Sequence, residues 1–348
     1  MKRIAVLIAA VALTLAGCSG TAGQNAAPGQ NAAPGQSAAP GQTAGGTTTV
    51  RVAHVPSTLF SPLYIADAKG YFTDNGLDVQ LEAVQSGQDA VPLLASGRLD
   101  ALVAGFSAGM FNARNEGLEF QIVGSMGRQT GELDNSPTSM IAAQPQYADG
   151  SLTRVADLRG KRIAAAGGPG ATGGFLVASI LAQADLTLTD VEIINISTPD
   201  MPNALSTGAV DAALISAPLS ERVVNDGAGT VIGVPDAGVS STGVMYSPDF
   251  AATPAAQQFF DALVRGAADL QGEGATDEEN LQILAQATSQ DIEVLRAAPK
   301  YTFDAKLAPY PDTIDQMEEI WMAGGQINYA TPLGAAAFVN DAFTAAAP

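Results

Sequence analysis

Two copies of one eight-residue pattern decide how this 348-residue sequence folds: LASGRLDA at 94–101 and LSTGAVDA at 205–212. In each copy a run with helical spacing stops at a glycine, Gly97 or Gly208, the residue best suited to the left-handed backbone that follows a helix. An apolar residue and an aspartate then lead into a short apolar run that is typical of a buried strand. The repeat therefore predicts two similar lobes, each with the same order of helix and strand.

Strands and helices alternate on both sides of each copy. Around the first copy we predict strands at 50–55, 78–84 and 101–104, with helices at 62–69 and 88–95. Around the second copy we predict strands at 162–166, 191–196 and 212–215, with helical segments at 173–184 and 203–206. This alternation indicates an α/β fold, in which parallel sheets are covered by helices on both faces.

Two further apolar runs, 138–143 and 242–247, each follow a stretch rich in Gly, Ser and Pro. We interpret them as two strands of a hinge, one leaving the first lobe and one returning to it. The folded part is thereby divided into lobe 1, residues 49–138 plus 247–348, and lobe 2, residues 139–246. The chain after 247 is predicted to be helical, and Met317 and Trp321 should pack against lobe 1 from one amphipathic stripe.

The first 17 residues have the features of a secretory signal. A short basic start precedes an apolar run at 4–15, which is too short to span a bilayer permanently. The run ends in Leu-Ala-Gly-Cys18, which resembles the lipobox of bacterial lipoproteins. That resemblance implies cleavage before Cys18, a lipid on its sulfur, and a protein anchored to the cell membrane by lipid only, on the extracytoplasmic side.

Residues 18–48 are predicted to be a disordered linker between this anchor and the folded part. They contain the hexapeptides NAAPGQ at 25–30, NAAPGQ at 31–36 and SAAPGQ at 37–42, and no charged or aromatic side chain. Such a segment buries too little apolar surface to offset the entropy lost on ordering.

Charge and composition exclude several functional classes. Lys and Arg total 16 against 35 Asp and Glu, a net charge of −19 that becomes −21 when Lys2 and Arg3 leave with the signal. Non-specific nucleic-acid binding requires the opposite charge. One Cys and one His cannot form a disulfide or a zinc site of the His/Cys type. A Cys–His or Ser–His–Asp catalytic centre would have to depend on His54 alone. We expect no metal, no cofactor and no enzymatic activity.

The segment SPLYIADAKGYFTDNGLDV at 61–79 resembles the opening of bacterial solute-binding proteins for nitrate, sulfonates, taurine, thiamine pyrimidines and riboflavin. LRGKRI at 158–163 is similar to the start of their second lobe, and the likeness covers nearly all of 50–330. The resemblance implies a periplasmic-binding-protein-like (type II) Venus flytrap with two mixed, mainly parallel sheets and a two-strand hinge. It also implies a monomer that delivers a solute to an ABC permease and its ATPase.

The loops expected to face the cleft contain no Lys or Arg, which disfavours capture of a small anion by a protein of this charge. Instead they offer aromatic rings, hydroxyls, glycines and the thioethers of Met110 and Met201, which suit a neutral flat heterocycle. The candidate ligand-binding residues are Ser57, Thr58, Phe60, Tyr64, Ser86, Phe106, Ser107, Gly170, Thr172, Gly173, Ser216 and Tyr246.

Within the family this pattern favours riboflavin or a related vitamin heterocycle. Ala217-Pro218 stands where many relatives have Glu-Pro, and the missing carboxylate counts against a thiamine-pyrimidine ligand. The alternative ligand class is an aliphatic sulfonate, taurine or nitrate, which helix N-termini could bind through backbone N–H groups.

Three further functions compete with solute binding. GPGATG at 168–173 matches the G-x-G-x-x-G pattern of dinucleotide enzymes, but the next strand does not end in the acid that would bind the ribose. An exported thiamine-pyrimidine-synthase-like enzyme would, by resemblance, need a histidine and a Cys-rich iron site. Here His54 stands alone, and we interpret it as structural. A surface adhesin would not require the cleft loops.

Overall fold

A computed structural model describes residues 47–347. The predicted signal at 1–17, the lipidation site Cys18 and nearly all of the linker at 18–48 lie outside these residues. Within 47–347, no helix has both the length and the apolar character needed to cross a membrane.

Ten strands form two five-stranded sheets. The strands are β1 (Thr48–His54), β2 (Leu77–Ala83), β3 (Ala101–Gly105), β4 (Gln121–Ser125), β5 (Thr138–Ala143), β6 (Arg162–Ala165), β7 (Glu192–Asn195), β8 (Ala212–Ser216), β9 (Gly229–Gly233) and β10 (Thr242–Tyr246). The order is β2-β1-β3-β10-β4 in the sheet of the first lobe and β7-β6-β8-β5-β9 in the sheet of the second.

Fourteen α-helices occur in the described chain and cover the two sheets. They are α1 (Ser61–Ala68), α2 (Tyr71–Asp74), α3 (Gly87–Ala95), α4 (Ala108–Asn115), α5 (Gln144–Ala148), α6 (Thr172–Ala182), α7 (Met201–Ser206), α8 (Leu219–Asn225), α9 (Pro248–Ala251), α10 (Pro254–Ala268), α11 (Glu278–Thr288), α12 (Ile292–Ala297), α13 (Pro311–Ala323) and α14 (Ala342–Ala346). The elements predicted around the two repeats agree with these bounds to within about two residues. They could be predicted because each one has its own hydrophobic periodicity, which depends only on residues close together in the chain.

The two sheets have the same plan, which confirms the predicted α/β class with mixed, mainly parallel sheets. Three strands are parallel in each, with β1 between β2 and β3 and β6 between β7 and β8. The fourth position is antiparallel to both of its neighbours and is taken by β10 in the first sheet and β5 in the second. Even the irregularity is shared, since the register shifts at Val244/Met245 and at Met140/Ile141.

The sequence predicts that the strands at 138–143 and 242–247 form a hinge between the lobes, and the sheet order shows that this prediction is wrong. Strand β5 pairs only within the second sheet and β10 only within the first, so β10 does not belong to the expected lobe 2 of residues 139–246. The chain passes between the lobes instead at 126–137 and 234–241, which we call the crossing segments. Both strands were mistaken for a hinge because a buried apolar strand looks the same in sequence whichever sheet it joins.

The two crossing segments run side by side and are joined by main-chain hydrogen bonds. The amide of Gln129 donates to the carbonyl of Val239 over 2.9 Å, and the amide of Gly238 donates to the carbonyl of Gln129, also over 2.9 Å. Ser240 Oγ donates to the carbonyl of Gly127 over 3.1 Å. Paired segments of this kind give two-lobed proteins an axis about which backbone torsions can change.

The C-terminal helices complete the first lobe and reach the second. Helix α10 packs on α1 and α2, covering one face of the first sheet. Helix α13 contacts both α4 of the first lobe and α6 of the second. Met317 and Trp321 on α13 are fully buried, as the sequence predicts, but Trp321 packs against both lobes and not against lobe 1 alone.

Candidate functional site

A cavity of about 560 Å³ lies between the lobes, at the carboxyl ends of their parallel strands. Open α/β sheets characteristically bind ligands at this edge. The lining comes from both lobes and from two more distant segments: Val55, Pro56, Ser57, Thr58, Leu59, Phe60, Gly105, Gln129, Thr138, Ala166, Thr172, Gly173, Leu176, Thr198, Pro199, Leu214, Ser216, Ala217, Pro218, Leu219, Thr242, Gln290 and Tyr301.

None of these lining residues carries a charge. The lining is mostly aliphatic, with hydroxyl and amide groups and two aromatic rings, those of Phe60 and Tyr301. Its volume falls in the range of about 300–1,000 Å³ that is typical of sites for organic molecules. The cavity therefore offers apolar surface and a few hydrogen-bonding groups, and no charged side chain.

The first lobe presents the loop 55–60 to the cavity in a fixed shape. Ser57 Oγ accepts from the amide of Leu59 over 3.2 Å, which caps the short 3₁₀ turn Thr58–Phe60. From beneath, the hydroxyl of Tyr64 lies 3.0 Å from His54 Nδ1 and 3.3 Å from both the amide of Ser57 and the carbonyl of Val55. The pair of buried rings thus supports the loop without entering the cavity.

Burial sets the ionisation of this supporting pair. It raises the pKa of Tyr64 to about 12 and lowers the pKa of His54, so both rings are neutral near pH 7. A neutral imidazole can accept a hydrogen bond from the Tyr64 hydroxyl. The structure therefore agrees with the structural role predicted for His54.

The second lobe presents the loop 166–173, which includes the GPGATG motif. The amide of Gly167 donates to Asn195 Oδ1 over 2.9 Å, and helix α6 begins at Thr172 on the cavity wall. This loop lies so close to the first lobe that a Cβ built on Gly105 would come within 2.2 Å of Thr172 Oγ1. A larger residue at 105 would therefore require the side chain of Thr172 to move.

Hydrogen bonds connect the loop 166–173 of the second lobe to the first lobe directly beside the cavity. The amide of Ala108 donates to the carbonyl of Gly170 over 2.8 Å, and Thr172 Oγ1 donates to the carbonyl of Phe106 over 3.1 Å. Trp321 Nε1 donates to the carbonyl of Pro169 over 3.1 Å. The lobes therefore already touch along one side of the cleft in this structure.

The floor of the cavity is a chain of polar side chains around Thr138. Thr138 Oγ1 lies 3.0 Å from the hydroxyl of Tyr301 and 3.2 Å from Ser216 Oγ, and it accepts from Gln129 Nε2 over 3.4 Å. Burial raises the pKa of Tyr301, so its hydroxyl keeps its proton. We call these four residues the polar floor.

Of the twelve candidate ligand-binding residues, six line the cavity: Ser57, Thr58, Phe60, Thr172, Gly173 and Ser216. Their contact with a ligand remains a prediction. All six follow the carboxyl end of a parallel strand or form it, which is the position from which sequence reasoning selected them.

The other six do not line it. Tyr64 supports the loop from below, and Ser86 caps α3 by accepting from the amide of Gln88. Ser107 precedes α4 and bridges to Ala171, while Gly170 accepts the amide of Ala108. These four shape the walls of the cleft or the contact between lobes.

Phe106 and Tyr246 are core residues, as are the two methionines. Tyr246 is fully buried among Phe250, Phe259 and Phe343, and its hydroxyl donates to the carbonyl of Ala256 over 3.0 Å. Phe106, Met110 and Met201 are buried as well. Phe106 follows the carboxyl end of β3 as the sequence predicts, but its side chain turns into the core, because the direction in which a side chain leaves a loop depends on the packing around it. Tyr246 pairs with Ala101 at the amino end of β3, so it lies at the edge of the sheet away from the cavity.

The cavity also contains residues that sequence reasoning missed. Gln129 lies on a crossing segment, Thr138 begins β5, and Gln290 and Tyr301 follow α11 and α12 far along the chain. No local pattern marks these four residues. Gln290 and Tyr301 reach the cavity only because the C-terminal helices pack on the first lobe, and Gln129 and Thr138 reach it because the chain crosses between the lobes there.

These features define the two-lobed fold of type II periplasmic binding proteins, and solved structures have the same fold. The alkanesulfonate-binding protein SsuA from Xanthomonas axonopodis pv. citri, bound to MOPS, is 19% identical with a TM-score of 0.63, over 86% of this chain and 100% of that one. The nitrate-binding protein NrtA from Synechocystis PCC 6803 is 15% identical with a TM-score of 0.68, over 85% and 87%. The aliphatic sulphonate-binding protein SsuA from Escherichia coli is 16% identical with a TM-score of 0.62, over 81% and 89%.

The chain belongs to the NMT1/THI5 like family, whose model matches residues 57–274. No curated protein sequence is significantly similar to it. The fold inferred from the motif at 61–79 is thereby confirmed, and so is membership of this broad family, whereas the importer role, the lipid anchor and the ligand remain predictions.

Proposed function

We propose that this protein is the lipid-anchored solute-binding component of an ABC importer and that it captures an uncharged heteroaromatic solute, with riboflavin as the leading candidate. The observation that carries the proposal is the cavity of about 560 Å³ whose lining residues bear no charge. The partners would be an ABC permease and its ATPase, and the role is binding and not catalysis.

The chemistry of the lining supports a flat ring with polar edges. Phe60 and Tyr301 supply aromatic faces, and Leu176, Leu214 and Leu219 supply aliphatic ones. Such surfaces favour aromatic rings over small hydrated ions. Ala217 lines the cavity at the position where a carboxylate would suit an aminopyrimidine, which supports riboflavin over that ligand.

An anion is the second candidate, and one feature favours it. Helix α6 begins on the cavity wall at Thr172 and Gly173, where its first backbone N–H groups have no partner within the helix. Two features count against an anion. The lining contains no Lys or Arg that would attract it, and the net charge of −19 would repel it as it approaches.

Calorimetric titration separates the two candidates. The full-length protein in detergent should bind riboflavin with one-to-one stoichiometry and show no heat with taurine, nitrate or MOPS. Thr198→Trp, which fills part of the cavity, should weaken riboflavin binding more than tenfold. Asn203→Trp is the control, because it adds the same ring on an exposed side chain of the same lobe. Binding of the anions without riboflavin would refute the proposal.

The lipid anchor is a separate part of the proposal and rests on the lipobox pattern before Cys18. Cells labelled with a palmitate analogue should yield a labelled protein in the membrane fraction. Cys18→Ser should abolish the label and release the protein from the membrane. A labelled Cys18→Ser protein would contradict lipidation at this residue.

A further inference from the structure

A small apolar recess adjoins the cavity between the lobes. Its volume is about 30 Å³, which is room for a group of about methyl size. Four residues line both spaces, and they are Thr58, Ala217, Pro218 and Tyr301. Thr58 belongs to the first lobe and Ala217-Pro218 to the second, so the recess meets the cavity at a place where the two lobes face each other.

The inner wall of the recess comes from the C-terminal helices that pack on the first lobe. Leu281 and Leu284 of α11 and Leu295 of α12 line it, and these side chains are only 1%, 5% and 4% exposed. Atoms that border an apolar space lose dispersion contacts on that side. An apolar group that moves from water into the recess restores those contacts, so the recess favours a hydrocarbon substituent over a polar one.

Three polar side chains around the recess are already engaged with the protein. Ser61 Oγ donates to the carbonyl of Thr58 over 2.7 Å, and the hydroxyl of Tyr301 lies 3.0 Å from Thr138 Oγ1. Lys300 Nζ donates to main-chain carbonyls at the end of α12. The fourth polar residue, Thr58, lies at the boundary with the cavity. The interior of the recess therefore requires no hydrogen bond from a ligand.

We propose that the recess is a subsite for an apolar substituent of the solute, a group of methyl size on the edge of the bound ring. The ring lies in the cavity, and its substituent passes between Thr58 and Ala217-Pro218 toward the leucines of the C-terminal helices. This inference rests on the proposed function, because it refines the ligand class of the same site. It adds that the solute is an alkylated heterocycle, a requirement that the methyl groups on the ring of riboflavin meet.

Riboflavin and 7,8-didemethylriboflavin, which lacks those methyl groups, test the inference by calorimetric titration of the full-length protein in detergent. The wild type should bind riboflavin about tenfold more tightly, as expected when an apolar pocket takes up a single small alkyl group. Ala298→Val adds carbon inside the recess, and Ala298 does not line the cavity. This variant should weaken riboflavin binding and leave that of the analogue unchanged, so the two Kd values should become about equal.

Two further variants complete the comparison. Ala275→Val fills the recess from another segment, at a partly exposed position, and guards against an Ala298→Val protein that fails to fold. Ala166→Val is the matched control, because it makes the same change at an exposed alanine that lines the cavity but not the recess. It should keep the preference of the wild type for riboflavin. Loss of the preference in Ala166→Val would overturn the proposal, whether or not the recess variants lose it.

The outcomes separate this inference from the proposed function. If the wild type binds riboflavin and its analogue equally, or if the preference survives in a recess variant that is folded, the subsite is refuted and riboflavin binding stands. If riboflavin fails but thymine binds more tightly than uracil, which lacks its methyl group, and Ala298→Val removes the difference, the subsite stands and riboflavin is refuted. Any other result with riboflavin unbound, including binding of nitrate, taurine or MOPS alone, refutes both.

Discussion

The two lobes repeat one ion pair in equivalent positions. In the first, Arg51 Nε and Asp100 Oδ2 are 3.0 Å apart, and the amide of Arg51 donates to the same oxygen over 2.8 Å. In the second, Arg162 Nε and Asp211 Oδ2 are 3.2 Å apart, and the amide of Arg162 donates over 2.9 Å. Arg51 also donates to the carbonyl of Gly97, which follows α3, and Arg162 donates to the carbonyl of Gly208, which follows α7. The repeated aspartate thus fastens the end of the helix to the neighbouring parallel strand, β1 in the first lobe and β6 in the second.

The lobes differ in what is added to this shared frame. The first sheet is covered by α1 and α10, and the chain after β10 goes on to provide Gln290 and Tyr301 to the cavity and Trp321 to the contact between lobes. The second lobe receives no such addition, and its edge strand β7 remains partly exposed. The duplicated unit therefore forms both walls of the cleft. The additional C-terminal chain of the first lobe supplies some of the polar side chains that line the cleft and the indole that contacts the second lobe.

The largest predicted effect comes from removing the side chain that joins the lobes. Trp321→Ala deletes a fully buried indole that packs against Phe111 and Phe175. We expect it to lower the free energy of unfolding in urea by about 3–5 kcal/mol. Trp321→Phe keeps a ring and loses only the bond to Pro169, so it should cost less. Equal losses in the two variants would show that the hydrogen bond, and not the packing, joins the lobes.

Next in size is the pair Asp100→Ala and Asp211→Ala, which removes the repeated ion pair from one lobe at a time. Each aspartate accepts from a charged guanidinium and a backbone amide, so each loss should cost about 2 kcal/mol in urea unfolding. Asp134→Ala, at an exposed position, is the control and should be near neutral. A large cost in one lobe and none in the other would contradict the equivalence of the two pairs.

A smaller effect is expected from Thr172→Val, which removes the bond from the second lobe to the carbonyl of Phe106. The loss should be about 1 kcal/mol, and the amide of Ala108, which spans the same contact, should exchange faster with deuterium. Thr207→Val is the matched control, because Thr207 bonds to Asn203 within the second lobe. Faster exchange at Ala108 in the control as well would contradict a bond specific to the lobe contact.

The smallest effect is a difference in acid sensitivity between the lobes. His54 of β1 aligns with Ala165 of β6, so only the first lobe has a buried imidazole there. Burial lowers the pKa of His54 in the folded protein, whereas the unfolded value is about 6.5. Its stabilising contribution is therefore present above about pH 6.5 and is lost as the pH falls toward the folded-state pKa.

His54→Gln should flatten that part of the stability curve. The measurement is urea unfolding of both proteins between about pH 5 and 7. Asp67 lies near His54 and burial raises its pKa, but it is present in both proteins, so the comparison isolates the imidazole. Deuterium exchange at the same pH values should localise the acid-induced loosening to β1 and its neighbours. An unchanged pH dependence in His54→Gln would show that the imidazole does not couple to folding.

Much of the fold could be predicted because its signals are local. Gly97 and Gly208 end helices in a left-handed conformation, and the aspartates that follow them lead into β3 and β8 as expected. The repeat did not, however, indicate that each aspartate would bind Arg51 or Arg162 on another strand. Pairing partners lie about 50 residues apart, and single-strand periodicity carries no information about them.

Part of the candidate site could also be predicted, because its loops are marked by local sequence signals. The loops after parallel strands were found, and with them Ser57, Thr172 and Ser216, because strand ends can be read from hydropathy. Tyr246 was misassigned to the cleft, and Gln129 and Tyr301 were missed. Which side of a loop faces a cavity, and which distant segment closes it, depend on packing that no local pattern encodes.

By itself the sequence determined that the folded chain is an α/β protein with two similar lobes and that its cleft loops lack Lys and Arg. These are properties of composition and of short-range periodicity, which depend on neighbours a few residues away. Only the tertiary structure decided that β5 and β10 belong to opposite sheets, that Trp321 joins the lobes, and that Gln129 and Tyr301 line the cavity. Those features arise from contacts between residues far apart in the chain, whose geometry exists only once the core has packed.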